Sequence, residues 1–166
     1  GNVNWMKSHE TRMSADVFGK YIDDLKPVVQ PSGSDSASLD NVFELLVRAG
    51  RSAPDTKCLM IPDAFSRKSA VDQELRDYFS YANCIMEPWD GPAAIAMTDG
   101  RWVIAGMDRN GLRPMRYTVT TSGLLIAGSE TGMVQVRGAD VVKKGHLGPG
   151  QMVAIDLDKG TLYHDQ

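Results

Sequence analysis

From Glu87 to Glu130 the chain reads EPWDGPAAIAMTDGRWVIAGMDRNGLRPMRYTVTTSGLLIAGSE, a series of short apolar runs broken by turn residues. Runs this short, with turn chemistry between them, are too brief for packed helices and suit antiparallel strands. Asp99-Gly100 separates Ala93–Met97 from Trp102–Met107. Asp-Gly between apolar runs predicts a hairpin closed by a type I′ turn, in which both central residues take positive φ. Thr121-Ser122-Gly123, between Met115–Thr120 and Leu124–Ala127, predicts a second hairpin. Asp158-Lys159-Gly160, between Met152–Leu157 and Thr161–Tyr163, predicts a third.

Upstream the periodicity is helical. Val3, Met6 and Met13 fit one face of a helix in the first third of the chain. Leu25 to Gly33 holds Pro27, Pro31 and Gly33 and reads as an extended connection. The clearest helix follows, with Ser38 as its expected N-cap. Its buried face is Leu39, Val42, Phe43, Leu46 and Val47, and Arg48 and Gly50 close it. Cys58–Ile61, ended by Pro62, reads as a short buried strand, and residues 63–72 as a polar surface excursion. A second helix is expected from about Val71 to Ile85, with Leu75, Tyr78, Phe79 and Ala82 inward and Pro88 as its stop. Helices followed by antiparallel strands define an α+β domain rather than a parallel sheet, and the 166 residues suit one domain or a large piece of one.

The net charge of −3 comes without a clustered basic block, which argues against nucleic-acid binding; Lys143 and Lys144, the one dense pair, read as a solvated loop. No apolar run approaches the ~20 residues that cross a bilayer, and no signal-peptide core is present, so no membrane association is expected. Cys58 and Cys84 are not spaced as a metal or disulfide pair, and His9, His146 and His164 are far apart; no metal site is expected of this chain. Both thiols read as buried small hydrophobes in a reducing, cytoplasmic setting.

Candidate chemistry is sparse. In DRNGLRP, Asp108 to Pro114, Asn110-Gly111 supplies a bend between strands. Arg109 and Arg113 can clamp a carboxylate or anchor the turn to Asp108 or a nearby carbonyl; the spacing favours the structural role, with Glu130 as a candidate partner. Gly33-Ser34-Asp35-Ser36 precedes the strong helix. It reads first as a helix-entry loop whose side chains satisfy open amides, and second as a carboxylate, Asp35, offered to a cationic ligand group. The run Gly145-His146-Leu147-Gly148-Pro149-Gly150 has the glycine density of a phosphate loop, but no following helix and no Lys-Ser/Thr, so it reads as a strand-to-strand connection. Trp89-Asp90-Gly91-Pro92 reads as a turn with an apolar anchor.

Three strings add a resemblance: GNVNWMKSHETRM, SGSDSASLDNVFELLVRAGRS, and EPWDGPAAIAMTDGRWVIAGMDRNGLRPMRY with GSETGMV. Nearly end to end, they resemble the glutaminase domain of glutamate synthases, especially the large chain of the bacterial NADPH-dependent type. DRNGLRP followed by GSE is shared more loosely with other class II glutamine amidotransferases. The resemblance implies an N-terminal-nucleophile hydrolase-like sandwich, two antiparallel sheets between helical layers, with residues 1–166 as the C-terminal portion of one such domain.

In that family an N-terminal cysteine attacks the side-chain amide of glutamine with its own α-amine as base. An Asn side chain and a Gly amide hold the oxyanion, an arginine holds the substrate carboxylate, and an aspartate holds its ammonium group. Only the aspartate maps here. The SDS string makes Asp35, with Ser34 and Ser36 beside it, the expected glutamine-binding group, which reverses the capping preference. Asp108, Arg109, Arg113 and Glu130 are then expected to be structural. Residue 1 is Gly rather than Cys, and the resemblance implies that GNVNWM follows closely after the family's oxyanion motif, with the nucleophile and the carboxylate-binding arginine further upstream. The nucleophile and the oxyanion hole are therefore expected upstream of Gly1, and the chain is expected to have no catalytic residue of its own and to be inactive alone. L-glutamine is the implied ligand. The rest of the large chain, with FMN and an iron–sulfur cluster, and a small subunit carrying FAD and meeting NADPH are the implied partners; no cofactor is expected in this chain. The competing expectation is a non-catalytic binding or assembly module that keeps the fold.

Overall fold

The structure, a computed structural model, describes residues 10, 15–63 and 72–164. The chain divides into two compact units, residues 1–62 with 72–90 and residues 63–71 with 91–166. Gly1, upstream of which the nucleophile and oxyanion hole are expected, lies outside the described residues. So do the expected face of Val3, Met6 and Met13 and most of the 63–72 excursion.

The first unit is helical. Asp16–Tyr21 and Asp23–Leu25 are short 3-10 turns, and the chain from Lys26 to Ser34 is irregular. The buried Glu10 carboxylate holds this connection by accepting from the Val28 and Val29 amides, while Asn41 Nδ2 donates to the Val28 carbonyl at 2.9 Å. Helix α1 spans Asp35–Arg48. Its cap is Ser34, whose Oγ accepts from the Ala37 amide at 3.2 Å, and not Ser38, which lies buried inside the helix. The expectation erred because either serine precedes the apolar periodicity; the helix starts one turn earlier than its first buried residue. Leu39, Val42 and Phe43 are buried, with Leu46 and Val47 half-buried. At the far end Gly50 takes φ +101°, its amide bonds Val47 O and the Arg51 amide bonds Leu46 O, which satisfies the last carbonyls of the helix.

Cys58–Ile61 is not a strand. It ends helix α2, Ala53–Met60. An apolar run of four cannot distinguish the two states. The deciding signal lies upstream: Ser52 Oγ accepts from the Asp55 amide at 3.4 Å, and Pro54 occupies the first turn. Helix α3 spans Gln73–Ile85, with Phe79 and Ala82 buried and Tyr78 half-buried. Leu75, expected inward, is 43% exposed. Cys84 is also exposed on this helix and Cys58 only half-buried, so the thiols are not the buried hydrophobes expected. The Trp89 amide bonds Met60 O at 2.6 Å, joining the segment after α3 to the end of α2.

The second unit is antiparallel β-structure. Its strands are β1 Ala94–Thr98, β2 Trp102–Met107, β3 Arg116–Thr120, β4 Leu125–Gly128, β5 Val141–His146, β6 Met152–Asp156 and β7 Thr161–His164. They form one sheet in the order β1-β2-β6-β7 and another in the order β4-β3-β5. All three expected hairpins form. The first is not closed by a type I′ turn: only Gly100 has positive φ, and the Asp99 carboxylate instead accepts from the Arg101 and Trp102 amides at 3.0 and 2.6 Å. Strand β5 was not expected. Lys143 and Lys144 belong to it, exposed on the sheet, rather than to a loop. Ala105, Met107, Tyr117, Leu147 and Val153 form the core where the two sheets face each other. The observed class is α+β, as the order of periodicities predicts.

Candidate functional site

Ser34, Asp35 and Ser36 form the entry to α1. Ser34 Oγ makes the cap bond and lies 3.0 Å from Ser36 Oγ. Asp35 is the first helical residue, exposed, in the turn where a helix favours negative charge. Capping and the carboxylate are thus divided between adjacent residues. The cap belongs to Ser34, and Asp35 is an exposed residue with a serine on either side.

DRNGLRP carries the chain from β2 in one sheet to β3 in the other. Its centre is the Asp108 carboxylate, only 2% exposed, which accepts from the amides of Ala93 at 3.2 Å, Asn110 at 3.1 Å and Leu112 at 3.1 and 3.2 Å. Burial pushes this carboxyl's pKa up, but the amides of Ala93, Leu112, Asn110 and Arg113 outweigh it and hold the group below its ordinary value. Gly111 has φ +63° and packs so closely on Pro149 that a Cβ there would lie 2.9 Å from Pro149 Cγ. The loop after β5 and the DRNGLRP loop therefore interlock, and Gly150 completes the join by donating to Asp108 O at 2.8 Å.

Arg109 and Arg113 do not meet Glu130: among the described residues neither arginine forms an ion pair with Asp108 or Glu130. Arg113 reaches Asp108 through its backbone amide, and its side chain is exposed. Arg109 Nε is buried without a hydrogen-bond partner among the described residues. Glu130 instead lines a cavity of about 520 Å³ with Arg116 and Lys144. No reading of the strands had pointed to Arg116 or Lys144, because their shared face follows from β5.

A second unanticipated cluster joins α2 to α3. Tyr78 Oη donates to the Asp55 carboxylate, which also pairs with Arg51 Nη1 at 2.8 Å. Burial first, then the hydrogen bond to Asp55 and the charge of that carboxylate, push the Tyr78 phenol well above its ordinary pKa. Lys57, on the same helix, is 1% exposed. The Tyr78–Asp55 contact ties α2 to α3, and the Arg51–Asp55 pair beside it is an i,i+4 contact legible in the sequence.

Comparison with known proteins decides the family. Residues 1–166 match the model of the class-II glutamine amidotransferases. This chain belongs to that family. Among relatives of this amidotransferase, the "Glutamate synthase [NADPH] large chain" of Azospirillum brasilense is 58% identical over the whole chain, and that of Bacillus subtilis (strain 168) is 41% identical over the same span. The "Ferredoxin-dependent glutamate synthase" of Antithamnion sp. is 44% identical over 98% of the chain. In each case the match covers 11% of the relative, so this amidotransferase segment spans about a tenth of the length of these curated relatives. Among the described residues no helix is long and apolar enough to cross a membrane.

Proposed function

We propose that this chain is part of the glutaminase domain of a glutamate synthase, the domain that hydrolyses glutamine to glutamate and ammonia for reductive amination of 2-oxoglutarate. The observation that carries the reading is the unbroken likeness, 58% identical over all 166 residues, to an NADPH-type large chain. Within it, Asp35 holds the α-ammonium group of L-glutamine, and Ser34 and Ser36 set the helix entry that presents it. This assignment is supported by the division of labour at α1, where Ser34 makes the cap bond and Asp35 is exposed in the first turn.

On this reading the two antiparallel sheets are the central layers of an N-terminal-nucleophile hydrolase sandwich, and the helices belong to its outer layers. FMN and the iron–sulfur cluster belong to other parts of the large chain, and FAD with NADPH to a small subunit. The residues present fit that division: two cysteines, on separate helices, cannot supply the four thiolates of a cluster. A cytoplasmic location accords with it.

The test is Asp35→Ala and Asp35→Asn in the full-length polypeptide. Losing a charge-assisted contact made to bound glutamine raises the KM for glutamine on the order of tenfold or more, with thermal stability unchanged. A lower melting temperature with unaltered glutamine kinetics overturns the assignment.

A further inference from the structure

The cavity of about 520 Å³ in the second unit is independent of Asp35 and of the DRNGLRP loop. Its floor is one face of the three-stranded sheet. The register pairs Arg116 with Gly128 and His146, and Thr118 with Ile126 and Lys144. Because successive side chains alternate across a strand, Arg116, Thr118, Ile126 and Lys144 share the face opposite Tyr117, which enters the core. The segment 129–137 forms the other wall. It is pinned at Gly128, where the Met133 methyl occupies the space a Cβ would need.

The charges on this face are unevenly compensated. Arg137, also on the wall, is neutralised by Asp140 through contacts of 2.7 and 3.2 Å. Arg116 and Lys144 sit on diagonal positions of neighbouring strands, and neither forms an ion pair among the described residues, including with Glu130, the carboxylate that also lines the cavity. Like charges so placed repel. An oxyanion between them turns that repulsion into two attractions, and a guanidinium beside an ammonium suits a carboxylate or phosphate group. The volume falls in the range of small-molecule sites, and Ile126 and Val134 give a small organic anion an apolar surface to lie against.

We propose that this cavity binds a small oxyanion, its carboxylate or phosphate group held between Arg116 and Lys144. The site is separate from the glutamine-binding residue and does not depend on the reading given above. The test is hydrogen exchange of segment 129–137 in the full-length polypeptide, titrated with succinate, with inorganic phosphate, and with chloride at matched ionic strength. The expected result is saturable slowing of exchange by at least one oxyanion and none by chloride. Slowing by succinate alone assigns an organic carboxylate, by phosphate alone a phosphate ester, and by both an oxyanion site of broad selectivity. Arg116→Gln combined with Lys144→Gln weakens the apparent affinity about tenfold or more. Equal slowing by chloride, a response that survives the double substitution, or exchange already slow without anion and unresponsive to it each overturns the proposal; the last identifies the face as covered by another part of the polypeptide.

Discussion

Arg101 and Asp156 are joined by two N–H···O contacts, Nε to Oδ1 at 3.3 Å and Nη2 to Oδ2 at 2.8 Å. Arg101 lies in the β1–β2 turn and Asp156 ends β6, so the pair locks one hairpin to the next. Asp156 Oδ1 also accepts from the Asp158 and Lys159 amides, organising the β6–β7 turn. The Arg101 guanidinium holds the Asp156 carboxyl below its ordinary pKa against the opposing effect of burial. Since the folded value lies below the unfolded one, the stabilisation is complete above the ordinary carboxylate range and is lost as pH falls through the lowered value. Asp156→Asn should accordingly speed local opening of the β6–β7 hairpin at neutral pH, with the gap to wild type closing in acid. Hydrogen exchange, corrected for intrinsic rates, reads this. A gap that is constant with pH contradicts the linkage. Arg101→Lys keeps the charge and loses the fork, and should fall between the two.

Asp108 supports a different kind of prediction, because its partners are backbone amides rather than a countercharge. Asp108→Ala leaves those part-buried donors without their acceptor, at a cost on the order of 1–3 kcal/mol. Asp108→Asn keeps one acceptor oxygen and should cost less. The same sign holds here: the folded carboxyl lies below its ordinary pKa, so its stabilisation is present above that value and fades as pH falls through the lowered one. Limited proteolysis between β2 and β3 of the full-length polypeptide should show faster cleavage for both variants at neutral pH. Unchanged cleavage would mean the loop is held by something other than this carboxylate.

Gly145 belongs to the glycine-dense run that has the look of a phosphate loop. Its reason is packing. Tyr117 pairs directly with Gly145 across β3 and β5, and the Tyr117 ring fills the place where a side chain would stand. The ring is buried in the core and has little room to move. Gly145→Ala should therefore destabilise by about 1–3 kcal/mol. Adding Tyr117→Leu should recover part of that loss, in a double-mutant cycle followed by denaturant unfolding of this region. Additive effects would separate the two residues.

The strands were more legible than the site. Period-two patterns and turn residues between Ala94 and Gly128 needed no tertiary information, and two β-hairpins appeared where they pointed. Strand β5 escaped because Val-Val-Lys-Lys-Gly-His carries neither alternation nor a buried face; the pairing with β3 makes it a strand, and that partner is distant in sequence. Helix α2 escaped for the opposite reason, since its apolar end drew attention away from the cap at Ser52. At the candidate site the sequence named Asp35 through resemblance, while the separation of its role from that of Ser34 required the hydrogen bonds of the turn. Glu130 was paired with the wrong neighbourhood because position at a strand end does not specify which face of a sheet it serves.

That separation between Ser34 and Asp35 can be tested directly. Ser34→Ala removes the oxygen that accepts the Ala37 amide and also ends the contact with Ser36 Oγ. Loss of such a cap costs about 1 kcal/mol of helix stability. The expected effect is faster exchange in the first turn of α1, with a glutamine KM that shifts only as far as the fraying displaces Asp35. Ser34→Asp keeps a capping acceptor and should restore the exchange rates. Asp35→Ala leaves the Ser34 cap bond in place and should raise KM by a larger factor than Ser34→Ala does. If both substitutions move KM and exchange in proportion, the two residues act as one structural unit and the assignment of separate roles fails.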